Sequence, residues 1–158
     1  MTVHRVRIAH HAVERGGGRL VTVGLGSCVA IAIHDRAAKI GGLAHVLLPD
    51  ASLGRGVENR ARYASSAVPL LLEEMQAMDA SGPFAASLVG GAALFGHMLS
   101  FGGSVGARNI EAARKALAKA KVPLVAEDVG GESGRTVMFD VTTGKVQVRS
   151  IRGGEHVL

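Results

Sequence analysis

Cys28-Val-Ala-Ile-Ala-Ile33, closed by His34-Asp35 and followed by Ile40-Gly-Gly-Leu-Ala-His-Val-Leu48 before Pro49, is the stretch that decides the fold. The first run is almost continuously apolar. That is the pattern of a strand covered on both faces, although its length also admits a helical turn. The second run lies between a turn at 35–39 and a proline that cannot donate to a ladder. The first therefore reads as a buried strand and the second as the strand that follows it.

Outward from this stretch the pattern alternates between strand and helix. Residues 3–9 alternate partially and read as a first strand, and Gly16-Gly-Gly18 marks a turn. Residues 20–23 are branched and apolar, so they read as a strand. Residues 50–59, with Gly54 and Gly56, read as a polar loop. Over 60–78, Ala67, Leu71, Met75 and Met78 share one helical face, and Pro69 is expected to kink that helix or mark a fresh start. Residues 85–89 form a strand leading into Gly90-Gly91, where adjacent glycines permit a close backbone approach. A second helix is expected over 106–121, with Ile110, Ala113, Leu117 and Ala120 inward and Arg114, Lys115 and Lys119 outward. Asn109 near its start reads as a cap. Strands follow at 122–127, 136–141 and 145–151, the last two joined by the hairpin signal Thr142-Thr143-Gly144. The total is roughly seven strands and two helices. The expected class is α+β, a layered β core of packed mixed sheets flanked by helices.

The chain has 158 residues, enough for one good core, and reads as a single domain over 1–158. Hydrophobic residues make up 47% and aromatic residues 3%, so the core is aliphatic. No apolar run approaches the roughly 20 residues of a membrane helix, and the N-terminus shows no signal peptide. Membrane insertion is therefore not expected. A single cysteine cannot form an internal disulfide, which fits a reducing cytoplasm. The net charge of +5 invites a nucleic-acid reading. Scattered basic residues and only one tyrosine, Tyr63, argue against it and leave room for an acidic protein partner. His10-His11, His34-Asp35, His97 and His156 show no metal-ligand spacing, so no metal is expected. Gly24-x-Gly26 lacks the third glycine of a dinucleotide fingerprint, so no cofactor is expected either.

The residues that carry chemistry lie on, or at the ends of, successive strands. Cys28 follows the turn Gly24-Leu-Gly26-Ser27, and His45 comes seventeen residues later on a strand-like stretch. A thiol and an imidazole are the material of a nucleophile and its base. They are equally the material of a small buried hydrophobe and a satisfied core histidine. Backbone amides around Gly26, Ser27 and Cys28 are the candidate oxyanion donors, because glycines let the chain aim N–H groups at one point. Glu127-Asp128 precedes glycines and reads as structural, with Asp128 pairing Arg135.

The wording of these blocks resembles one family. Leu25-Gly-Ser-Cys-Val-Ala30, Gly41-Gly-Leu-Ala-His45 and Leu48-Pro49 are similar to the CheD family, the chemoreceptor glutamine deamidases of bacterial chemotaxis. Gly90-Gly-Ala92 with Phe95, Gly106-Ala-Arg-Asn109, Glu127-Asp-Val-Gly-Gly131 with Gly134-Arg135, and Gly144-Lys-Val continue the likeness in order. The chain departs from the family at Ser87, where a lysine is usual, and at Ser65, where an aspartate is frequent. The resemblance implies a fold related to deamidating bacterial toxins, with Cys28 as nucleophile, His45 as base and Thr22 as the group orienting His45. It implies conversion of glutamines on chemoreceptor cytoplasmic helices to glutamates through a thioester, with receptor methyl-ester hydrolysis at the same sites. It also implies a CheC-type phosphatase as partner. A non-catalytic adaptor docking receptors or that phosphatase, and a cysteine peptidase, are the competing expectations.

Overall fold

The computed structural model describes residues 2–51, 59–93 and 104–158. Phe95, His97, Gly54 and Gly56 lie outside them. Ten strands and two α-helices are present among the described residues. The strands are β1 Thr2–Arg5, β2 His11–Arg15, β3 Gly18–Leu25, β4 Val29–Asp35, β5 Ile40–Val46, β6 Phe84–Gly90, β7 Leu124–Val129, β8 Arg135–Asp140, β9 Val146–Ser150 and β10 Gly154–Val157. The helices are α1 Ala64–Ala77 and α2 Val105–Lys119.

They form two five-stranded mixed sheets. The first has the order β1-β3-β8-β9-β10 and the second β2-β5-β4-β6-β7. The α+β layered class is as expected from the sequence. The apolar run at 28–33 is strand throughout its regular part, because it lies at the centre of the second sheet between two covering layers. Val29, Ile31 and Ile33 pack towards α1 and α2 with Leu71, Met75, Ile110 and Leu117. Ala30 and Ala32 point the other way, into a core shared with Leu20, Leu25, Val137, Phe139 and Val148 of the first sheet. Each fully buried Leu, Ile or Val contributes roughly 1.5–3 kcal/mol through the area it removes from water. Small residues on the sheet-to-sheet side let the layers close. A Cβ on Gly41 would lie 2.9 Å from the Phe139 ring, so the glycine leaves room for that ring.

Two elements escape the sequence reading. The β2 and β10 strands sit on sheet edges, with β10 exposed along its whole length. Neither carries an apolar alternation strong enough to announce itself. The first expected helix is also shorter than its periodicity suggests. Residues 60–62 form a 3-10 turn capped by Asn59, Tyr63 is extended and bridges Leu48, and α1 starts at Ala64. The break thus falls at Tyr63, and Pro69 lies inside the continuous α1. The first amides of α1 find carbonyls outside the helix, Ala64 N on Leu48 O at 2.9 Å and Ser65 N on Pro49 O at 3.0 Å. These bonds tie α1 to the end of β5. The hairpin at 142–144 is as expected, with Gly144 at φ +81° and its N–H on Asp140 O at 2.8 Å.

Candidate active site

The second sheet places the thiol and the imidazole on one face. Ala30 pairs directly with His45 between β4 and β5. Cys28 lies two residues before Ala30 and packs into the same inter-sheet core. Cys28 and His45 are therefore diagonal neighbours, a relation with a typical spacing of about 7–8 Å between backbones. His45 is pinned from β2's side, where its N–H donates to His10 O at 3.0 Å and its carbonyl accepts from Ala9 N at 2.8 Å.

Thr22 comes from the opposite layer. It lies on β3 of the first sheet, not beside Cys28 and His45 in the second. The chain changes sheets between β3 and β4 through Gly24, at φ +73°, and Gly26. The three side chains thus meet across the sheet interface. Thr22 and His45 are both buried, and Thr22 Oγ1 lies 2.7 Å from His45 Nδ1. The hydroxyl has one proton, and it goes to the Val6 carbonyl at 2.6 Å, which can only accept. Thr22 Oγ1 must then accept from Nδ1–H. This fixes the tautomer and leaves a lone pair on Nε2.

Nε2 is buried and has no hydrogen-bond partner among the described residues, so it makes no bond to the Cys28 thiol. Burial pushes His45 down to about 4. Burial likewise pushes the Cys28 thiol up, against a smaller opposing pull from its own backbone N–H. The resting pair is a neutral thiol beside a neutral imidazole. That differs from a ready-made thiolate–imidazolium pair. Too little polar surrounding is present to hold two opposite charges in this interior.

The cysteine loop is shaped by backbone contacts. Gly91 N donates to Cys28 O and Ala92 N to Gly26 O, both at 2.8 Å. A Cβ on Gly90, at φ +112°, would lie 2.3 Å from Cys28 O. The close approach expected at Gly90-Gly91 is thus the seating of the cysteine loop. Gly26 N is spent on Gly24 O at 3.1 Å, which removes it from the expected oxyanion donors. Ser27 and Cys28 remain as the candidate donors, with the Cys28 N–H facing its own thiol.

Asn109 was read as a helix cap, and here the structure corrects the sequence. Ser104 caps α2, its side chain accepting from Ala107 N at 3.1 Å. Asn109 is fully buried, with Nδ2 donating to Ser27 O at 2.9 Å and Leu47 O at 3.1 Å. Two carbonyl partners fix the orientation of its amide. Because a trans peptide points its C=O and N–H in opposite directions, anchoring Ser27 C=O on Asn109 aims the Cys28 N–H the other way. The available signal was a polar amide on the same stripe as Ile110, Ala113 and Leu117.

Asp128, His11, His34 and His156 have structural partners. Asp128 pairs Arg135 at 3.2 Å, as expected, and also His156 at 2.9 Å, with Glu127 and Asp128 in β7 ahead of the glycine turn. His11 pairs Glu74 at 2.8 Å, and His34 Nε2 lies 2.8 Å from Val141 O. Among the described residues no group of three or more His, Cys, Asp or Glu side chains could hold a metal ion.

A thiol and an oriented imidazole on a layered α+β scaffold are compatible with the side-chain set of a cysteine hydrolase. Residues 47–150 match the CheD family, described as CheD chemotactic sensory transduction. The chain is 43% identical over 154 residues to a probable chemoreceptor glutamine deamidase CheD of Pyrococcus abyssi, covering 97% of this chain and 94% of the relative. It is 42% identical over 153 residues to the chemoreceptor glutamine deamidase CheD of Thermotoga maritima, covering 96% and 94%. A probable chemoreceptor glutamine deamidase CheD of Clostridium kluyveri is 41% identical over 158 residues, with 98% of each chain covered. The chain belongs to the CheD family.

Proposed function

We propose that this protein is a protein-glutamine deamidase, a hydrolase of chemotaxis that converts glutamines on chemoreceptor cytoplasmic helices to glutamates. The observation that carries the mechanism is the Thr22–His45 bond at 2.7 Å, which leaves Nε2 as an acceptor. Cys28 Sγ attacks the side-chain carboxamide carbon as its proton passes to His45 Nε2. The oxyanion meets the Ser27 and Cys28 N–H groups, a kind of donor whose loss typically costs about 10²–10³ in rate. His45 then gives its proton to the leaving nitrogen, the C–N bond breaks and ammonia departs. The thioester is cleared by a water whose proton passes to Nε2. The C–S bond breaks, the thiol regains its proton, and a glutamate carboxyl remains.

Thr22 acts through His45. Its neutral oxygen sets the tautomer and ring plane, and it stabilises a transient imidazolium less than a carboxylate does. The step needs no metal or cofactor. The same acyl chemistry extends to receptor methyl esters. Family membership supports a cytoplasmic setting and a CheC-type phosphatase as regulatory partner. One catalytic domain over 1–158 accounts for the reaction. Among the described residues no helix is long and apolar enough to cross a membrane.

The test is peptide mass spectrometry of a receptor cytoplasmic fragment incubated with wild-type protein or Cys28→Ala. The expected result is amide-to-acid exchange at specific glutamines with wild type alone, and a loss of at least about 10³-fold in the variant. Exchange that survives in Cys28→Ala contradicts the assignment of the nucleophile. Backbone cleavage of the fragment points to a peptidase, and binding without exchange to an adaptor.

A further inference from the structure

A cleft of about 550 Å³ opens over His45, lined by Arg5, Val6, Arg7, Ile8, Val23 and Gly24. Its wall is the segment leading out of β1, the same segment whose Val6 carbonyl accepts the Thr22 hydroxyl's hydrogen bond. The chain that orients the imidazole therefore also flanks the approach to it. Arg5 and Arg7 are exposed on either side of the buried Val6. Among the described residues neither has an ion-pair partner. Glu14, the carboxylate of the adjoining β2, is turned to His4 at 3.4 Å. Ile8 and Val23 are 53% and 38% exposed and give the cleft an apolar side. Two unneutralised guanidiniums beside an apolar wall fit a polypeptide that is amphipathic and locally acidic.

Resting on the deamidase reading, we propose that Arg5 and Arg7 form a subsite for a carboxylate flanking the target glutamine on a helical substrate. Residues three or four apart on a helix lie about 5–6 Å apart between Cβ atoms. A glutamine presented to His45 would then carry its acidic neighbour along the same cleft. The reaction itself makes such neighbours, since each product is a glutamate. Where two targets lie one turn apart, deamidation of the first supplies the carboxylate that favours the second.

The test uses two helical peptides, each with one glutamine. One carries glutamates three and four residues to either side, and the other carries serines there. Ammonia release and mass spectrometry give kcat/KM for each, with wild type and with the double variant Arg5→Gln/Arg7→Gln. A Cys28→Ala protein, bound to each fluorescently labelled peptide, reads the same preference without turnover. The expected acidic-to-neutral ratio for wild type is about two- to fivefold at low salt, within the range for an exposed charge pair. It falls towards one in the double variant, and in wild type as added salt shortens the screening length. A ratio near one with wild type, or an undiminished ratio in the double variant, overturns the subsite. A binding preference with no turnover of either peptide or of the receptor fragment keeps the subsite and removes the deamidase reading. Equal turnover of both peptides does the reverse.

Discussion

The two halves of the candidate site are organised in opposite ways. Around His45 the order lies in side chains. Thr22 accepts from Nδ1–H and donates its own hydroxyl hydrogen bond to Val6 O, all within a buried interior. Around Cys28 the order lies in the backbone, with Gly26 O, Ser27 O and Cys28 O all engaged while the thiol meets only its own backbone N–H. The contrast follows from what each group must do. A base needs a fixed tautomer, which requires a proton donor or acceptor at one ring nitrogen. A nucleophile beside amide donors needs a fixed peptide plane, which requires carbonyl anchors. The two halves have no hydrogen bond between them at rest, so the site waits for substrate with both groups uncharged.

Removing the base is expected to have the largest effect. His45→Gln should lower kcat for glutamine deamidation by about 10²–10⁴, measured as ammonia release. A loss below tenfold would mean the imidazole half contributes no proton transfer. Gly90→Ala attacks the backbone half. Its Cβ would sit 2.3 Å from Cys28 O at a φ of +112°, so it combines strain with a clash against main chain. Denaturant unfolding should show a loss of about 3 kcal/mol. An unchanged midpoint would mean the cysteine loop is not seated on Gly90. Thr22→Val keeps the shape but removes the acceptor for Nδ1–H. It should lower kcat about 10- to 100-fold with KM little changed, while Thr22→Ser retains most activity. Equal loss in both variants would point to packing, not the hydroxyl, as the contribution of Thr22.

The same contrast explains what could be read from the sequence. The central strands were legible because layers on both faces leave a continuous apolar run at Val29–Ile33. The faces of α1 and α2 were legible from Ala67, Leu71, Met75, Ile110, Ala113 and Leu117. Cys28, His45 and Thr22 could be named from residue type and family wording. That Thr22 reaches across from the other sheet could not, since strand patterns carry no record of which sheet a strand joins after a glycine turn. The role of Asn109 was hidden for a related reason. Near a helix start an asparagine looks like a cap, and only the fold brings Ser27 and Leu47 within its reach. The edge strands β2 and β10 were missed because their backbone pairing, more than any apolar pattern, places them.

The most direct test of the uncharged resting pair is the pH dependence of Cys28 alkylation by iodoacetamide. Thiolate is the reactive form, and burial raises the thiol above its ordinary value of 9.0. The rate should therefore climb steadily from neutral pH through pH 9. A rate that has already levelled off near neutral pH would show a thiolate–imidazolium pair in the resting enzyme and contradict the account.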